Sequence, residues 1–222
     1  REQLDIMQRL AEDGAGMVSL AEKGRELLLR RYGIDEDKIY VIRHGVPPAP
    51  REQPRALKEK YGLAGKKVVS NFGLLHPGKG IEYVLKALPE VAAEYPETVY
   101  LVLGQTHPEV QKRFGEAYVE ALRAQVKRLG VEDNVIFVNR YLSQEELMEY
   151  LALSDICITP YLNPEQISSG PLAYAVALGK AVISTPYLCA QELLADERGV
   201  LVPFRDENAV AEALLVLVGD DV

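Results

Sequence analysis

An α/β fold built on a doubly wound parallel sheet is predicted by two features of this chain. Short apolar bursts of strand length alternate with longer helical patterns. Several of the bursts carry Val and Ile on both faces, which suits strands covered by helices on both sides. In chain order the strands read as "GMVSL" (16–20), "KIYVIR" (38–43), "KVVSNFG" (67–73), "TVYLVLG" (98–104), "NVIFVN" (134–139), "DICITP" (155–160), "AVIST" (181–185) and "GVLVP" (199–203). The helices between them read as 80–95, 109–129, 144–153, 171–178 and 207–218. Strict alternation of this kind implies right-handed crossovers.

One stretch breaks the rhythm. "HGVPPAPREQPRA", residues 44–56, holds four prolines and continues neither a helix nor a central strand. A boundary belongs there: residues 1–47 as the end of one Rossmann-like unit, 48–56 as linker, and 57–222 as a second, larger unit. The helix, strand, helix and strand before the linker are too little to close a core alone. The chain opens on Arg1 rather than Met, so it is expected to be a piece of a longer protein.

Hydrophobic residues make up 48% of the 222 positions and charged residues 26%, which describes a globular chain with a real core. The net charge of −8 argues against nucleic acid as the main partner, yet leaves room for a local basic pocket holding one phosphate ligand. The two cysteines, Cys157 and Cys189, form no CxxC pair. Neither a disulfide nor zinc is suggested, and a reducing cytoplasm is the natural setting. No apolar run reaches membrane-spanning length, and none reads as a signal peptide.

In open parallel sheets ligands bind beyond the carboxyl ends of the strands, so the loops that follow strands carry the chemistry. "GLLHPGKGIEY", Gly73 to Tyr83, matches G-x4-G-K formally, as a P-loop-like NTPase would. Gly80 then stands where a P-loop needs Ser or Thr for magnesium. Gly73 and Gly80 still let a ligand approach the backbone, and Lys79 can set a point charge on a phosphate. A solvated lysine in a glycine-rich turn is the structural alternative. "GQTHPEV", Gly104 to Val110, reads as a capping box with Thr106 as N-cap and Glu109 three positions on. Ser143 and Glu146 repeat the signal.

The third loop is "QISSGPLAYAVALGK", residues 166–180. Ser169 or Gly170 can cap its helix, Pro171 suits the first turn, and Gly179 fits beyond the end. Capping does not account for two adjacent hydroxyls. A helix N-terminus with Ser168 and Ser169 beside the N–H groups of Gly170 and Leu172 is suited to an anion. With Lys79 supplying charge and this helix its dipole, the two loops together are fit to hold a diphosphate.

The order "VIRHGV", "FGLL…GKGIEYVLKAL", "YLVLG", "SDICITPY", "AYAVALGKAVISTPY" and "ELLADERGVLVPFRD" resembles the GT4 family of retaining glycosyltransferases, from about residue 16 to residue 218. The resemblance implies the GT-B fold, in which two Rossmann-like domains face each other across a cleft. The N-terminal domain takes the acceptor, a carbohydrate or glycolipid, and the C-terminal domain takes the nucleotide-sugar donor. It further implies cytoplasmic hexosyl transfer in carbohydrate biosynthesis, with retention of configuration and with no metal or cofactor beyond the donor itself.

Lys79 matches the family's lysine on the donor diphosphate and is the expected catalytic residue. Leu74 stands where the family carries an arginine, and the E-x7-E pair falls on Gln166 and Tyr174. Gln166 then meets the transferred sugar and Tyr174 the ribose, while Ser168, Ser169, Gly170 and Leu172 surround the phosphates. Arg140 and Tyr141 are either solvated loop residues or flank the nucleobase, His44 is either a linker contact or a hinge residue near the cleft, and Glu192 either matches a common acidic position or serves helix capping or the core edge. The three replaced side chains leave a second reading open: a non-catalytic GT-B-like binding or assembly domain.

Overall fold

The computed structural model describes residues 2–220. Two parallel sheets carry the chain. The smaller pairs β1 (Met17–Ser19) with β2 (Ile39–Val41), flanked by α1 (Glu2–Asp13) and α2 (Glu22–Tyr32). The larger has six strands: β3 (Lys67–Phe72), β4 (Thr98–Leu103), β5 (Val135–Val138), β6 (Ile156–Thr159), β7 (Ala181–Ser184) and β8 (Val200–Leu201). Their spatial order is β5-β4-β3-β6-β7-β8, every pair parallel. Counted from β3, that is the 3-2-1-4-5-6 order of a Rossmann sheet.

Strand alternation divides the core into two layers. Tyr100 and Val102 of β4, with Ile156 and Ile158 of β6, face α4 (Ile81–Glu94), α6 (Ala117–Leu129) and α10 (Glu207–Gly219). On the opposite face, Val99, Leu101 and Leu103 of β4 pack with Leu57 of α3 (Pro54–Lys60) and Ala152 of α7 (Gln144–Leu153). Cys157 and Val182 meet α8 (Gly170–Ala177) and α9 (Leu188–Leu193) there. Each fully buried Leu or Ile in these layers contributes about 1.5–3 kcal/mol.

The structure departs from the sequence-based expectation in three places. The single helix over 109–129 is broken into α5 (Pro108–Phe114) and α6, because Gly115 takes φ 58° and ψ −136°. Thr106 is not the cap of α5. It bridges to Leu75 across the β3–β4 ladder and donates its hydroxyl to Glu116, so the cap passes to His107, whose Nδ1 accepts the Glu109 N–H at 3.2 Å. The proline-rich stretch ends in a helix as well, since Pro54 at the first position of α3 is compatible with helical φ. The Ser143 capping box forms as expected.

Asp155 anchors this frame. Both carboxylate oxygens take Lys58 Nζ, at 2.7 and 2.9 Å, and one accepts the Val68 N–H at 2.6 Å. The pair is largely shielded, with side-chain exposures of 16% and 21%. Asp155→Ala leaves the ammonium with only the Lys66 carbonyl and strands the Val68 N–H. It is expected to lower stability by about 2–3 kcal/mol in chemical denaturation, with the fold retained in far-UV circular dichroism.

Candidate functional site

The strand order reverses between β3 and β6, so the chain leaves these neighbours in opposite directions and opens a crevice at their carboxyl ends. The loops that follow them interlock. Leu162 N–H donates to the Gly78 carbonyl at 3.0 Å. Gly80 sits at φ 68°, and a β-carbon there would lie 2.0 Å from the carbonyl oxygen of Pro160. Only glycine allows both the left-handed turn and that approach.

Lys79 is placed by this interlock. Its Nζ lies 4.0 Å above the ring of the buried Tyr161, a cation–π contact. Among the described residues it forms no salt bridge. Burial holds its ammonium down to about 8, with no carboxylate nearby to oppose the shift. Gly73 faces it: a β-carbon on Gly73 would stand 3.1 Å from Lys79 Nζ and 3.9 Å from Cγ of Pro171. Gly73, Lys79 and the start of α8 therefore meet at one point, although ninety residues of chain separate the two loops.

At the entrance of α8 the two hydroxyls separate by role. Ser169 is buried and caps the helix, its Oγ accepting the Leu172 N–H at 3.2 Å. Leu172 is wholly buried and its N–H is spent on that cap. Ser168 is exposed. Gln166 turns its amide onto the Ser168 carbonyl at 3.0 Å. Tyr174 stands between Phe72, at 5.7 Å, and His44, at 5.8 Å, in aromatic contact with both. His44 packs over the helix start, with Nε2 3.3 Å from where a Gly170 side chain would begin.

On the other side of Gly73, a cleft of about 160 Å³ is lined by Phe72, Leu74, Gln105, Tyr141 and Leu142, among others. Arg140 borders it, but its guanidinium is committed to Glu146, at 2.7 and 3.1 Å. Tyr141 is 75% exposed and leaves a flat ring at the rim. His76 and His107 lie with rings 5.9 Å apart and went unassigned in the sequence. Their proximity depends on β3 and β4 being neighbours, which no local pattern states.

A Rossmann sheet whose switch point carries a helix N-terminus and a lysine without a salt bridge among the described residues defines the class: an α/β domain with a crevice at the carboxyl ends of its strands. The family follows from comparison. The model of the family "Glycosyl transferases group 1" matches residues 66–220, and the chain belongs to that family. It is 29% identical over 196 residues to the GDP-mannose-dependent alpha-(1-6)-phosphatidylinositol monomannoside mannosyltransferase of Mycolicibacterium smegmatis, covering 85% of this chain and 46% of that protein. It is 30% identical over 226 aligned positions to the D-inositol 3-phosphate glycosyltransferase of Xylanimonas cellulosilytica, covering 96% of this chain and 51% of that protein. The chain thus spans about half the length of the curated relatives it matches.

Among solved structures, Anabaena HepE in complex with UDP and glucose superposes with a TM-score of 0.78 at 21% identity, over 98% of this chain and 57% of that one. WaaG, a glycosyltransferase involved in lipopolysaccharide biosynthesis, gives 0.73 at 20% identity, over 91% and 53%. The likeness to GT-B structures bears out the expected fold class. Among the described residues no helix is long and apolar enough to cross a membrane.

The two hydroxyls can be separated by experiment. Ser169→Ala should cost about 1 kcal/mol of stability through the lost cap, whereas Ser168→Ala should stay within about 0.5 kcal/mol of the parent. Urea denaturation of both variants checks this.

Proposed function

We propose that this chain is the donor-binding part of a retaining glycosyltransferase that moves a hexosyl group from a nucleotide-diphosphate sugar to a carbohydrate or glycolipid acceptor. The observation that carries the reading is Lys79, a half-buried ammonium with no carboxylate partner among the described residues, set against the first turn of α8. Such a cation lacks its anion until a ligand brings one, and a diphosphate suits the combined charge and helix dipole. The family match and the likeness to a structure holding UDP agree with this choice.

In the proposed step the bond between the anomeric carbon and the diphosphate breaks while the acceptor oxygen bonds the same carbon on the same face. The acceptor's proton passes to the departing phosphate oxygen. Lys79 and the N-terminal turn of α8, with Ser168 and Gly170 at its mouth, stabilise the charge that develops on the leaving group. No metal is needed for that role. Gln166 offers its amide oxygen to a sugar hydroxyl, Tyr174 its phenol to the ribose, and the cleft beside Tyr141 receives the base.

The same reading makes residues 57–222 the donor domain, 48–56 the connection, and 1–47 the last units of an acceptor-side domain. Its support is that β1 and β2 form their own sheet and leave Val18, Tyr40 and Ile42 more than half exposed. The acceptor and the rest of that domain complete the cleft, in the cytoplasm, where activated sugars are made.

Titration calorimetry with UDP, GDP and ADP, with and without magnesium, tests the proposal. One diphosphate is expected to bind without metal, and Lys79→Ala to weaken it by at least roughly tenfold. An anion favours the protonated lysine, so affinity should be full below the lysine's value near 8 and lost above it. A fall of roughly tenfold between pH 7 and pH 9 is expected. Binding that requires magnesium, or that survives Lys79→Ala unchanged, overturns the site.

A further inference from the structure

His76 and His107 follow neighbouring strands, and the donor reading gives them no task. The ladder between β3 and β4 continues past both strands: Leu75 N–H donates to the Gln105 carbonyl and His107 N–H to the Leu75 carbonyl, each at 2.9 Å. That extension brings the rings together, edge to face, with centroids 5.9 Å apart.

Backbone hydrogen bonds fix the protonation of each ring. Nδ1 of His76 accepts the Gly78 N–H at 3.1 Å, and Nδ1 of His107 accepts the Glu109 N–H at 3.2 Å. An accepting Nδ1 carries no proton in a neutral imidazole, so the proton sits on Nε2. Both rings are therefore locked as Nε2–H donors. A metal ion would need that same nitrogen bare, at the cost of both backbone bonds, so the pair suits an anion instead.

The surroundings favour the same ligand. Burial first, then the charge of Lys79 and the neighbouring His107, lower the proton affinity of His76. Glu116, bonded to Thr106 beside His107, is already occupied: it accepts from Thr106, Asn139 and Gln111 at 2.9, 3.0 and 3.1 Å. Loop 73–80 offers no other cation than Lys79, since Leu74 and Leu75 are apolar.

We propose that His76 and His107 form a two-donor clamp for phosphate oxygens, a subsite adjoining Lys79 on the rim of the crevice. The inference rests on the donor-domain reading only for the source of the phosphate. That source is either the donor's diphosphate or a phosphate carried by the acceptor.

Side-chain nitrogen spectra of the three histidines test this, with His76→Asn and His107→Asn as assignment and binding variants. Asparagine keeps an acceptor for the backbone N–H and removes the Nε2–H. The free chain should show the Nε2–H form at both rings, and inorganic phosphate or pyrophosphate should shift both Nε2 signals. The double variant should bind phosphate roughly tenfold more weakly at unchanged stability. If saturating UDP or GDP abolishes the phosphate shift by taking its place, the clamp holds the donor's diphosphate. If the phosphate shift persists beside bound nucleotide, the clamp serves a phosphorylated acceptor.

An Nδ1–H form in the free chain overturns the proposal. So does a nucleoside diphosphate that binds in calorimetry with neither histidine moved by it or by phosphate, which leaves the donor reading standing. Phosphate that moves both histidines while no nucleoside diphosphate binds keeps the clamp and removes the donor reading. Absence of any phosphate effect removes the clamp.

Discussion

The close approach of Gly80 to the carbonyl of Pro160 is the constraint on which the crevice depends. With 2.0 Å between that oxygen and any β-carbon, a side chain at this position would push the β3 loop away from the end of β6. Lys79 would then leave the face of Tyr161 and return to water. Held where it is, its ammonium forgoes hydration, a loss that costs several kcal/mol for an unpaired charge. The ring beneath it returns about 1–2 kcal/mol, and burial holds the lysine's proton affinity down. An anion from outside can recover it. The site is thereby defined by an imbalance built into the fold rather than by a set of satisfied contacts.

α8 shows the same division between holding and offering. Leu172 and Ala175 bury against β6 and β7, so the helix is fixed to the sheet by its apolar side. Ser169 completes its first turn from within, and Ser168, one residue earlier, is the hydroxyl left to solvent. A buried helix can begin with two hydroxyls because one belongs to its structure and the other to its mouth. Pro171 serves both ends: it suits the first turn, and its Cγ lies 3.9 Å from where a Gly73 β-carbon would stand, beside Lys79.

Much of this was legible in the chain because strands and helices of a doubly wound fold declare themselves locally. Val68 and Val69, or Ile156 and Cys157, are apolar at consecutive positions within runs of strand length, as a strand covered on both faces requires. The misreadings share a cause. Thr106 has the right residues around it for a cap, but the pairing with Leu75 competes for its backbone and Glu116 for its hydroxyl. Gly115 reads as one weak position in a long helix until its positive φ is known. Lys79 and Pro171 were each visible as loop residues, whereas their convergence on Gly73, like the meeting of His76 and His107, follows from strand order and not from spacing.

The N-terminal segment joins this frame through few groups, and they bear directly on the crevice. Glu192 of α9 accepts the Lys23 N–H at 3.1 Å, standing at the first turn of α2, and pairs with Arg43 at 3.4 Å. Gly24 lies against Ile167, where a β-carbon would come within 2.8 Å. Arg43 immediately precedes His44, which lies over Gly170 and against Tyr174. The Arg43 side chain is 59% exposed, and an ion pair this open to water contributes little by itself. The shielded carboxylate on the Lys23 N–H is the stronger half of the junction. His44 at the helix mouth rests against Tyr174 in the room that Gly170 leaves.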